Sequence, residues 1–314
     1  MRTLALLLLL IPLKNLGQNN VQIVTLPFES NLIPEGIAVD SDNERIFINS
    51  IKHSKIVQSD FEGRDHSNFI QPGEFGYLQG FGMTIAKDTL YALGNMLPKS
   101  TNRSILLLLD KNTGKHIRSY TLKDAGFVYL NDIAISHMGD IYITDSESSD
   151  IYTIDAKTNQ LRVFVSLEDL KHSNGIAISE DGTYLYFASY TTGIRVLHIP
   201  SKSLVNQPNN YKGIDGLKFH NKTLIGIVNG RRDFTLNGIY QYQLSPDLNE
   251  ITQAEKFASF ENEADLPTTF DILNDRMYYV SDSQLRNLDQ ETNSIMDASK
   301  LKSYQLVIRS LKNN

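Results

Sequence analysis

The sequence predicts an all-β fold: a six-bladed β-propeller of four-stranded blades, its ring closed by strands from both ends of the chain. Three observations carry this expectation. Apolar residues recur with period two rather than 3.6, as in Arg45-Ile46-Phe47-Ile48-Asn49 and Asp140-Ile141-Tyr142-Ile143-Thr144. The runs are short, and Gly, Asn, Asp and Ser, the residues of tight turns, separate them. The pattern also repeats. An apolar strand followed by a hairpin turn opens a unit near residues 35, 81, 131, 174, 215 and 268, roughly 40 to 55 residues apart, which is the period of a four-stranded blade.

In chain order, Met1-Arg2 and the apolar run 4–13 read as a cleaved secretory leader over residues 1–17. The run is shorter than the about 20 residues that span a bilayer. The mature chain, 18–314, is then a single propeller domain located outside the cytoplasm, secreted or periplasmic. Each unit goes out through its first strand and returns through a Tyr-rich one, such as Tyr184-Leu185-Tyr186-Phe187-Ala188. Third and fourth strands follow, as in Asp150-Ile151-Tyr152-Thr153-Ile154 and Leu161-Arg162-Val163-Phe164-Val165. Only residues 167–171 hint at a helical turn. Spare strands at Val21-Gln22-Ile23-Val24-Thr25-Leu26 and Tyr304-Gln305-Leu306-Val307-Ile308 both pair into the last blade, leaving only short, protected edges. A pair of β-sandwiches would also use short strands, but it does not account for the regular period.

Composition narrows the function classes. The 314 residues carry a net charge of −6 with 21% charged side chains and no basic run, which argues against nucleic acid or an anionic membrane as partner. With no Cys there is no disulfide, thiolate zinc site or thiol nucleophile. The seven His show no metal spacing, and Ser146 lacks the Gly-x-Ser-x-Gly elbow of serine hydrolases. Tyr142, Tyr152, Tyr186, Tyr278 and Tyr279 read as packing between blades, and Arg231-Arg232-Asp233 as a solvated loop.

The first strand of each propeller blade lines the central axis, so residues that open these strands converge there. Glu35, Asn131, Asn174 and Asp215 hold that phase in four of the six units. Phe81 and Thr268 hold it in the other two. Taken singly, Asn or Asp caps a turn as readily as it binds a ligand; at one shared phase they form an oxygen cage. Two carboxylates and two amides, without His or Cys, suit Ca²⁺ or another hard divalent cation and leave coordination positions open. Strand polarity brings Asn49, Asn95, Asp145, Ser146, Tyr190, Asn229 and Asp282 toward the rim. Strict alternation turns Asp132 away from the side Asn131 faces, behind whatever touches the ion.

The order Glu35-Gly36, Asn131-Asp132, Asn174-Gly175 and Asp215-Gly216 on six blades resembles the SMP-30/gluconolactonase/LRE-like family of calcium-dependent lactonases and phosphotriesterases. The resemblance implies Glu35, Asn131, Asn174 and Asp215 as metal ligands, with Asn131 also contacting substrate. It further implies Asp215 as base or nucleophile in lactone or ester hydrolysis. Where gluconolactonase-type members commonly carry an Arg two residues before Asn-Asp, this chain has Tyr129, and Ile133 replaces the Gly that usually follows. Together with Phe81, and with Tyr190 on the rim, Tyr129 implies a small-molecule substrate more apolar or aromatic than a sugar acid. Two other classes stay open: a non-catalytic propeller that binds a ligand or protein around a structural ion, and an NHL-like interaction scaffold without one.

Overall fold

The computed structural model describes residues 21–122 and 126–312; the leader expected over 1–17 lies outside them. Six four-stranded antiparallel blades form the ring, each with its first strand innermost. Blade 1 comprises Ile37–Asp40, Arg45–Ser50, Lys55–Asp60 and Ser67–Ile70. Blade 2 comprises Gln79–Ala86, Thr89–Asn95, Ser104–Asp110 and His116–Tyr120. Blade 3 runs from Leu130–Ile135 through Ile141–Asp145 and Asp150–Ile154 to Leu161–Ser166. Blade 4 runs from Ser173–Ile178 through Tyr184–Ser189 and Gly193–His198 to a two-residue edge, Ser203–Leu204. Blade 5 holds Ile214–His220, Thr223–Val228, Gly238–Leu244 and Ile251–Ala258.

Blade 6 closes the ring in the expected way. Asp271–Leu273, Arg276–Val280 and Gln305–Ser310 come from the end of the chain, and Val21–Thr25 adds the outer strand. Its register runs from Val21 opposite Arg309 to Thr25 opposite Gln305. A small hairpin, Leu288–Asp289 with Ser294–Ile295, is inserted between the second and third strands of this blade. Helical geometry among the described residues is limited to three-residue 3₁₀ turns, one of them Glu168–Leu170, where the sequence hints at a turn. None of them is long and apolar enough to cross a membrane.

Within these strands the short apolar runs are unbroken, as in Ile46-Phe47-Ile48, and this has a direct cause in the packing. A blade is buried on both faces, so alternate residues of one strand enter the two interfaces on either side. In the second strand of blade 4, Leu185 and Phe187 pack toward blade 3, whereas Tyr186 and Ala188 pack toward blade 5. Ile46 and Ile48 face blade 6, and Phe47 between them faces blade 2. Six apolar clusters result, one per blade boundary. The five tyrosines assigned to packing are all buried in them.

Near the axis the inner strands approach so closely that two glycines are obligatory. A β-carbon on Gly175 would fall on the Asp215 carbonyl oxygen, and one on Gly36 on the Phe81 carbonyl oxygen. The Gly in each of these opening motifs is therefore a packing requirement between neighbouring inner strands.

Candidate metal centre and active site

In blades 2 to 5 the inner strand carries one extra residue at its opening. The register breaks between Gly80 and Met83, Leu130 and Ile133, Ser173 and Ile176, and Ile214 and Leu217. The bulged residues are the positions singled out in the sequence: Phe81, Asn131, Asn174 and Asp215. Such bulges re-aim side chains next to functional sites.

Polar bonds across blade boundaries fix the backbone at each of these positions. Asn49 accepts from the Gly36 amide at 2.9 Å and donates to the Phe81 carbonyl, tying blade 1 to blade 2. Asn95 accepts from the Leu130 amide at 2.9 Å and donates to its carbonyl at 2.7 Å. The Thr144 hydroxyl donates to the Asn174 carbonyl at 2.7 Å. Asn229 donates to the Asp215 carboxylate at 2.7 Å and to the Pro267 carbonyl at 2.8 Å. The Thr268 and Thr269 hydroxyls donate to the Glu35 carbonyl at 2.8 and 2.7 Å, which completes the circle. Asn49, Asn95 and Asn229 thus differ from the rim expectation: their amides are spent on blade boundaries. Asp145 caps its own loop through the Glu147 and Ser148 amides, and Asp282 does so through Leu266 and Gln284. Of the seven expected at the rim, Ser146 and Tyr190 line the pocket.

That pocket, about 340 Å³, lies on the axis and brings together Glu35, Phe81, Tyr129, Asn131, Asn174, Tyr190 and Asp215. Glu35, Asn131, Asn174 and Asp215 are all buried. Six buried side-chain polar atoms among the described residues have no hydrogen-bond partner, and three belong here: Glu35 Oε2, Asn131 Oδ1 and Asn174 Oδ1. Buried oxygens are normally paired, because an unpaired one forfeits its hydration for nothing. Three orphans on one axis, all acceptors, match a hard cation. Among the described residues no group of three or more His, Asp or Glu is placed to hold a metal, so an ion here depends on the two amide oxygens as well as the two carboxylates.

Electrostatics agree with that reading. Burial pushes the Glu35 carboxyl well above the usual carboxylate range, and the Asp215 and Asp132 charges push it further. Burial likewise raises Asp215 to about 7; hydrogen bonds from Asn229 and Asn174 oppose the shift and Asp132 adds to it. Two carboxylates that cannot both ionise alone are poised to exchange protons for a cation.

Asp132 does not obey strict alternation, because the bulge breaks it. Its carboxylate sits lower in the channel, where it accepts from the Ile133 amide at 2.8 Å and the Ile176 amide at 3.3 Å. It does not line the upper pocket.

The wall above the cage is aromatic. Phe81 and Tyr129 meet edge to face with centroids 5.0 Å apart. Lys99 stands 4.4 Å from the Tyr129 ring centroid and pairs with Glu147 at 2.5 Å. The lining also includes His172, Leu285 and Gln290. Lys99 belongs to the loop between the second and third strands of blade 2, and Leu285 and Gln290 to the insertion in blade 6. Sequence reasoning missed these three. Their signal was loop length on the face where the inner strands begin.

Comparison with known proteins converges on the same fold. The profile of the SMP-30/Gluconolactonase/LRE-like region matches residues 33–200, more than half of the chain. No curated protein sequence matches significantly. Among solved structures, virginiamycin B lyase from Staphylococcus aureus superposes with a TM-score of 0.61 at 16% identity, covering 93% of this chain and 99% of the lyase. A gluconolactonase from Xanthomonas campestris gives a TM-score of 0.60 at 12% identity, covering 91% of this chain and 89% of its own. A luciferin-regenerating enzyme gives 0.61 at 12% identity, with 93% and 96% covered. At these identities the likeness is one of fold.

Proposed function

The chain belongs to the SMP-30/Gluconolactonase/LRE-like family, and from that premise we propose that it is a calcium-dependent hydrolase of lactones or esters. One observation carries the reading: Glu35, Asn131 and Asn174, each with a buried unpaired side-chain oxygen, line with Asp215 one axial pocket large enough for a small molecule. Glu35, Asn131, Asn174 and Asp215 hold the ion. When bound, Ca²⁺ supplies Lewis acidity toward a carbonyl oxygen and charge for the developing oxyanion.

The rest is the work of the chain's own side chains. Asp215 takes a proton from water as the water oxygen adds to the carbonyl carbon, or its carboxylate attacks that carbon directly. In the first route Asp215 passes that proton to the ring or ester oxygen as its bond to the carbonyl carbon breaks. In the second the departing oxygen takes a proton from water, and the hydroxide left behind hydrolyses the mixed anhydride and frees the carboxylate. The Asn229 amide, 2.7 Å from one carboxylate oxygen, fixes the orientation of Asp215. Phe81, Tyr129 and Leu285 exclude water and favour an aromatic or alkyl acyl portion. With Tyr129 in place, the pocket offers no Arg to a sugar acid. The leader expected from the sequence over residues 1–17 supports a location in the periplasm or outside the cell.

An assay panel of an aryl lactone, an aryl ester, a sugar-acid lactone and a phosphotriester, run with calcium and with chelator, tests the proposal. Calcium-dependent turnover of the aryl lactone or ester supports it. Turnover indifferent to chelation, or turnover of none of the four, refutes it and favours a propeller that only binds its ligand.

A further inference from the structure

The lower half of the axial channel holds a second set of charges that the reaction does not use. A cavity of about 200 Å³ opens there, lined by Ile133, Ile176, Lys218 and Asp271 among others. Asp132, from blade 3, receives the Ile176 amide of blade 4. Asp271, from blade 6, receives the Val39 amide of blade 1 at 2.8 Å. The two aspartates therefore bridge opposite boundaries of the ring. Lys218 enters from blade 5, its ammonium 3.9 Å from Asp132 Oδ1.

The chain positions of these groups matter. Lys218 lies three residues beyond Asp215. The Asp132 carboxylate grips the amides two residues beyond Asn131 and Asn174. One ion pair thus joins the three inner strands that carry three of the four cage residues. We propose that Lys218, through Asp132, is a positioning residue for the calcium cage: a strut that sets the spacing of Asn131, Asn174 and Asp215 from below.

Groups that orient metal ligands from behind typically govern affinity by about 10- to 100-fold. The inference rests on the cage reading, and the test separates the two. Calcium affinity, measured calorimetrically, is expected to fall about tenfold in Lys218→Met and to return toward wild type in Lys218→Arg. In chelator, the melting-temperature losses of Lys218→Met and Asp132→Asn are expected to be less than additive in the double variant. Unchanged or tighter calcium binding by Lys218→Met overturns the positioning role. Additive losses in chelator overturn the ion pair. If the wild-type protein binds no calcium, the cage reading falls, and the ion-free cycle still decides the strut. Should Lys218→Met fail to fold, Lys218→Arg with Asp132→Glu serves the same cycle.

Discussion

Asn131 and Asn174 lie at the openings of inner strands, Asn49, Asn95 and Asn229 lie at the ends of the strands beside them, and all five are buried. The three clamps use their amides on neighbouring blades, with bonds such as Leu130 N to Asn95 Oδ1 at 2.9 Å. The other two leave their side-chain oxygens unpaired. The same contrast separates the two tiers of carboxylates. Asp132 and Asp271 are saturated by backbone amides, whereas Glu35 keeps a free oxygen. Residue type does not distinguish a staple from a ligand here; the distinction is whether the fold itself satisfies the oxygen. Leaving acceptors unsatisfied costs folding free energy, on the order of 1–3 kcal/mol each, a cost that the proposed cation would recover.

The largest effect expected falls on the reactive member of the cage. Asp215→Asn keeps the shape and the Asn229 contact but removes the base, so turnover should drop on the order of 10³-fold or more. Steady-state rates alongside an unchanged circular dichroism spectrum check this; retained turnover would remove Asp215 from the mechanism. Calcium itself comes next. At a hundredfold excess over its Kd it should stabilise the protein by about 2.7 kcal/mol, read as a higher melting temperature that chelator reverses.

The contrast between asparagines predicts opposite signatures. Asn95→Ala strands the Leu130 amide and carbonyl and should cost about 1–3 kcal/mol with calcium affinity little changed. Asn174→Leu deletes an unpaired oxygen together with the amide that donates to Asp215, so in chelator it should cost less than Asn95→Ala, while calcium binding is abolished. Chemical denaturation paired with calorimetry tests both, and matching behaviour of the two variants would erase the distinction.

A pH series sharpens the same point. Asp215 ionises near 3.8 when free of the fold and near 7 within it, and Glu35 shifts the same way. The folded, ion-free protein therefore binds the extra proton. The stability associated with these groups is complete below pH about 4 and is lost as pH rises through about 7, a change of a few kcal/mol. Calcium affinity should rise over the same interval, as metal displaces protons. Denaturation in chelator between pH 5 and 8 measures the first trend and calorimetry the second. The smallest effect concerns the wall: Tyr129→Arg should shift preference by about tenfold from aryl toward sugar-acid lactones, scored as a ratio of kcat/KM values.

The four cage positions were legible because they share one phase of a repeat. The inner strand of a propeller blade has only one end at the pocket, so phase in sequence becomes convergence in space. Phe81 was legible for the same reason, and Tyr129 through the family resemblance, at the position where gluconolactonase-type members commonly carry Arg. Lys99, Leu285 and Gln290 were not: they arrive from loops whose course over the pocket no periodicity encodes. Asp132 was misdirected by alternation, because a bulge adds a residue without changing the hydrophobic pattern that sequence reading depends on.

By itself the sequence determined the repeat and the closing strands, since these follow from short apolar runs punctuated by turn residues at a regular spacing. Tertiary structure alone decided which oxygens stay free. Whether Asn95 or Asn174 finds an amide depends on the neighbouring blade, about 40 residues away along the chain, and hydrogen bonding at that range is fixed only once the ring has closed.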